Sequence, residues 1–158
     1  MMANRVEFAS LYRLDLKRPS KVMLILRGST ALSAFRRNKL LTKLVDLISV
    51  TAIQATYLHF VDTSEDLNSE ELAVLNGLLS YGSIDEYEQS KGVTLVVTPR
   101  PGTISPWSSK ATDIARNCEL AKVKRIERGV EYRVQISDDL SAEQQELLRA
   151  ELHDRMVE

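Results

Sequence analysis

Residues 22–61 read VMLILRGSTALSAFRRNKLLTKLVDLISVTAIQATYLHFV, and this stretch decides the fold class. Val22-Met23-Leu24-Ile25-Leu26 is a short, unbroken apolar run, the pattern of a buried strand. Gly28-Ser29 punctuates its end. Ala31–Ile48 then reads as a helix, with Leu32, Phe35, Leu40, Leu44 and Leu47 giving an approximate apolar stripe. Ala52–Val61 is rich in Ile, Thr, Tyr, Phe and Val, residues that suit a pleated, half-buried surface. The unit is strand, helix, strand.

Working outward toward the C-terminus, Asn68 precedes Glu71 by three, the spacing of a capping box. Leu72, Leu75 and Leu79 line one helical face, and Gly82 stands where a glycine would stop that helix. Residues 83–92 read as polar loop. The same order of elements then recurs. Val93–Thr98 is a short strand, Pro99–Pro106 a proline-rich loop, and Trp107–Cys118 a helix with Ser105 as cap and Pro106 at its first turn. Val123–Ile136 is strand-like but broken near Gly129, after which Val130, Tyr132, Val134 and Ile136 alternate. Ser141 and Gln144 cap a last helix carrying Leu147, Leu148, Leu152 and Met156.

The expected order is β-α-β-α followed by β-α-β-β-α. This is an α/β (α+β) chain of two βαβ-type halves, about 21–82 and 93–158, with helices covering one face of a sheet. Periodicity leaves open whether that sheet is mixed or antiparallel. Toward the N-terminus, residues 1–20 read as a flexible extension closed by Pro19-Ser20.

Composition narrows the function. The chain has 158 residues, 44% of them hydrophobic, enough for a real core, and a net charge of −1, which gives no general attraction to nucleic acid or an anionic membrane. No apolar run is long enough to span a bilayer. Cys118 is the single cysteine, which forbids an internal disulfide and suits a cytoplasmic location. His59, inside a strand, and His153, on the last helix, are the two histidines, and neither is spaced to activate Cys118 as a nucleophile. The acidic stretch Asp62, Glu65, Asp66, Glu70 and Glu71 fits a helix start better than a metal site. No catalytic residue and no metal site is expected in this segment, nor a P-loop or dinucleotide fingerprint.

One stretch stands apart: TPRPGTISPWSSKATDI, residues 98–114. It leaves a strand, crosses a stiff loop and enters a helix. Arg100, Ser105, Trp107, Ser108, Ser109 and Lys110 gather at that helix N-terminus, where free backbone N–H groups attract anions. They are the candidates for binding a substrate phosphate or for docking against a carboxylate of a neighbouring domain. The bland alternative is a capped helix packing on its surroundings.

TPRPGTISPWSSKATDIARNC (98–118) resembles a signature near the start of the large, single-chain bacterial phosphoribosylformylglycinamidine synthases. LRGSTALSAFRRNKLL (26–41), YLHFVDTSEDLNSEE (57–71), VKRIERGVEYRV (123–134) and LHDRMVE (152–158) resemble the flanking elements of the same family. The resemblance runs from about Met23 to Glu158, and residues 1–22 have no counterpart in it. It implies an N-terminal domain similar to a fused pair of the small PurS-type subunit of the shorter enzyme. It also implies membership in an ATP- and glutamine-dependent ligase of purine biosynthesis that makes formylglycinamidine ribonucleotide from formylglycinamide ribonucleotide. ATP and Mg2+ would then be held elsewhere in the full-length enzyme, with no cofactor on this segment. The expected partners are the synthetase and glutaminase domains of the same enzyme. A free-standing module that binds a phosphorylated small molecule or a protein is the competing expectation.

Overall fold

In a computed structural model, residues 22–83 and 92–154 are described. The expected N-terminal extension and most of the 83–92 loop lie outside them, as does Met156. The elements run β1 (Val22–Thr30), α1 (Ala34–Val45), β2 (Val50–Thr63), α2 (Ser69–Leu79), β3 (Gly92–Val97), α3 (Pro106–Asn117), β4 (Val123–Ile136) and α4 (Ala142–Leu152). A strand–helix–strand–helix order thus occurs twice. The four strands make one sheet in the order β1-β2-β4-β3, and every neighbouring pair is antiparallel. The long central pair runs from Val50↔Ile136 to Thr63↔Val123 and joins the two repeats.

All four helices pack on one face, because β2 and β4 alternate in register. Ile53, Ala55, His59, Val61 and Thr63 of β2 are buried toward the helices, beside Val123, Ile126 and Val134 of β4. The core has two lobes. Leu75 and Leu79 of α2 and Ala115 of α3 close one over Leu26, Val61 and Ile126. Leu44 and Ile48, with Leu148 and Leu152 of α4, close the other over Ile53 and Val134. The opposite face carries Arg27, Glu131 and Arg133 as an ion-paired set around Leu58 and Gly129, with no helix above it among the described residues.

The caps fall where the sequence puts them. Asn68–Glu71 and Ser141–Gln144 form complete capping boxes, and Ser105 caps α3 with Pro106 in its first turn. Three expectations need correction. First, β1 does not stop at Gly28-Ser29 but runs to Thr30, with a register shift after Arg27. Gly28 is there because a Cβ would collide with the His59 ring. Second, β4 is continuous through Gly129, where a Cβ would lie 2.7 Å from the Val97 carbonyl oxygen and 3.0 Å from Phe60. Both glycines mark a close neighbour rather than a break. Third, the α1 stripe is shifted. Leu44 and Ile48 are buried with Leu40 and Leu41 against them, whereas Phe35 is 77% exposed and Leu47 lies past the helix end.

Candidate functional site

The 98–114 segment is built on β4. β3 pairs with Val130–Gln135 only, so the first half of β4 has no strand partner on that side. The start of α3 supplies one instead. The Ser108 hydroxyl donates to the Ile126 carbonyl at 2.6 Å, and the Ile126 N–H donates to the Thr112 hydroxyl at 3.0 Å. Ser108 is 1% exposed. Its hydroxyl satisfies sheet backbone, an obligatory task for a buried polar group.

Ser105 is equally committed. Its hydroxyl accepts the Ser108 N–H at 3.0 Å and donates to Glu127 Oε1 at 2.7 Å. The Glu127 carboxylate therefore sits at the α3 N-terminus, the place the helix dipole favours for an anion. It also accepts from Arg125 at 2.8 Å and from the Arg128 backbone N–H at 3.0 Å. Burial pushes the Glu127 carboxyl up, but these hydrogen bonds outweigh it and hold it below the usual carboxylate range. Arg125 further donates to the Thr103 carbonyl at 2.7 Å, and the Thr103 hydroxyl donates to the Arg100 carbonyl at 2.6 Å. Gly102 takes φ +85°, a conformation that glycine reaches without strain. The loop is tied to β4 from behind and turned outward in front.

Trp107 points the other way, into the molecule. Its ring stacks on His59 with centroids 5.6 Å apart, and the Arg128 guanidinium lies 4.6 Å above it. The same guanidinium is 4.2 Å from the Tyr57 ring and donates to the Tyr81 hydroxyl at 3.3 Å. That hydroxyl is 2.7 Å from His59 Nε2. Five side chains from β2, β4, α3 and the turn after α2 thus fill the space between the two core lobes. His59 is fully buried. Burial first, then the Arg128 charge, lowers its pKa to about 4, opposed only in part by the Leu26 backbone. Nδ1 has no partner at hydrogen-bond distance among the described residues. The imidazole is neutral near pH 7, and its neighbours are aromatic or cationic, so it has no acid to work with.

The six candidate residues therefore divide. Ser105 and Ser108 hold the segment in place, and Trp107 belongs to the inner cluster. Arg100, Ser109 and Lys110 face outward, together with Ile104 at 64% exposure. The side chains of Arg100 and Lys110 make no hydrogen bond or ion pair with any described residue. Sequence reasoning missed Arg125, Glu127 and Arg128, because they reach the segment from the next strand, β4, by packing rather than by any fixed spacing along the chain. The alternation of Arg and Glu before Gly129 is the one local signal of a charged strand beside an uncapped edge.

Among the described residues no group of three or more His, Cys, Asp or Glu could hold a metal ion, and no helix is long and apolar enough to cross a membrane. A family model described as "Formylglycinamide ribonucleotide amidotransferase N-terminal" matches residues 56–158, more than half of the chain. The matched span contains the second half of β2 from Thr56, all of the 98–114 segment and every member of the inner aromatic cluster.

Proposed function

The chain belongs to the formylglycinamide ribonucleotide amidotransferase N-terminal family, and from that membership we propose that it serves as the docking scaffold of this ligase of purine biosynthesis. The family match is the observation that carries the reading. The enzyme named in that family is the synthase whose sequence the chain resembles, and its reaction joins an amide nitrogen from glutamine to formylglycinamide ribonucleotide with ATP. In this reading the ATP and Mg2+ chemistry and the glutaminase chemistry belong to other domains, and this domain holds them in register in the cytoplasm.

Two features support a scaffold. Two groups with shifted titration are spent on structure: His59 is sealed and neutral, and Glu127 accepts from Ser105, the cap of α3. Its outward segment is braced before any partner arrives, so docking costs little ordering entropy. The test is a pull-down of the tagged chain with the remainder of the amidotransferase supplied as a separate polypeptide. Stoichiometric capture is the expected result, and no capture of a folded remainder would refute the scaffold reading.

A further inference from the structure

We infer that the docking surface is the outer side of the 98–114 segment, centred on Ile104 and ringed by Arg100 and Lys110. Its occupant is an acidic face of the remaining polypeptide of the same enzyme, with an apolar pocket at its centre. This rests on the scaffold reading and adds to it a surface and a complementary chemistry.

Three surfaces compete for the role. The uncovered sheet face is wide, but its charges are already paired with one another: Arg27 and Arg133 both meet Glu131, and Arg125 meets Glu127. A partner there would have to replace ion pairs that exist. The outer side of α4 presents Leu147 between Glu143 and Glu146, a shallow apolar strip with nothing to specify a partner. The loop differs from both. Ile104 is 64% exposed, more than any other large hydrophobic side chain described except Phe35. It is not exposed by looseness, since the backbone on either side of it is held by Arg125 at Thr103 and by Glu127 at Ser105. A braced loop that holds an isoleucine in water presents an anchor ready to enter a pocket.

Charge supplies the partner's chemistry. Arg100 stands four residues before the anchor and Lys110 six after it, both are exposed, and neither has a counter-ion among the described residues. Ile114, 42% exposed, lies one turn beyond Lys110 on the same side of α3. The one acid on that side, Asp113, faces Arg116. The rim is thus cationic around an apolar centre, and its complement is apolar with carboxylates around it. A phosphate bound at the α3 N-terminus fits less well, because the Glu127 carboxylate already takes that position.

The test measures affinity of the chain for the remainder of the enzyme across a salt series, by titration calorimetry. Ile104→Asp is expected to weaken binding at least tenfold, and the pair Arg100→Glu with Lys110→Glu to do the same and flatten the salt dependence. The control pair Arg36→Glu with Lys39→Glu, on α1, is expected to stay within about twofold of wild type. Unchanged melting of each variant separates a docking loss from a folding loss. Wild-type binding with all variants within twofold of it would overturn this surface and leave the scaffold reading intact. Absence of wild-type binding would overturn both. Sedimentation of the chain alone decides the remaining occupant. Self-association abolished by Ile104→Asp, with binding to the remainder unaffected, would assign the surface to a second copy and overturn the proposal.

Discussion

At the scale of single residues, His59 and Glu119 show how much depends on surroundings. The His59 pKa is about 4 in the folded chain against 6.5 when unfolded. Folded protein therefore binds fewer protons between those values. The stability this group permits is fully present above pH 6.5 and is lost as pH falls toward 4, by at most about 3 kcal/mol. Denaturant melts at pH 7, 6 and 5 should show the loss before the carboxylates titrate. His59→Gln keeps an amide near Tyr81 without titrating, and should flatten the pH 5–6.5 slope. A wild-type slope that survived in the variant would show that another group drives it. Glu119 has φ +64° just after α3, where the Leu120 N–H bonds to the Ala115 carbonyl and the Glu119 N–H to the Arg116 carbonyl. This is the left-handed closing position that glycine occupies without a Cβ penalty. Glu119→Gly should raise stability by about 0.5–1 kcal/mol in urea unfolding. A destabilisation would mean that the Glu119 side chain makes a contact worth more than the strain.

Among the elements, α3 is the one whose two sides do different work. Its inner and capping hydroxyls hold it on β4, so Ser105→Ala removes a cap and strips a donor from Glu127, at about 1–2 kcal/mol. Arg100→Ala and Lys110→Ala remove no side-chain hydrogen bond or ion pair to a described residue and should stay within about 0.5 kcal/mol in the same unfolding assay. Equal losses from all three would erase the distinction between bracing and presenting residues. The sequence made much of this readable. Ser105, Pro106 and the capping boxes are local signals, because a cap is set by residues three apart. The apolar strand runs and the buried face of α2 were readable for the same reason, whereas on α4 Leu148 and Leu152 are buried as read but Leu147 is 46% exposed. Gly28 and Gly129 misled, since each stands in a strand and makes room for a group far away in sequence: His59 for one, the Val97 carbonyl for the other. A glycine that ends a strand and one that admits a neighbour look alike along the chain. The antiparallel register and the Glu127 carboxylate at the α3 N-terminus were hidden likewise, because both are fixed by contacts between strands.

Considered whole, the molecule is one sheet with two repeats of elements, a helical layer on one side, and a polar and aromatic cluster where the two core lobes meet. Among the described residues no nucleophile is paired with a base. The chain alone should show neither glutamine hydrolysis nor ATP consumption. Glutaminase activity that vanished in Cys118→Ala would contradict this. The central claim is that the domain works by holding the rest of the amidotransferase in its active arrangement. Its most direct test is synthase turnover by the enzyme lacking this domain, measured with and without the chain added as a separate polypeptide. The account requires turnover to be low in its absence and to recover in saturable fashion as the folded chain is added. Full turnover without the chain, or no recovery when a folded chain is present in excess, would contradict it.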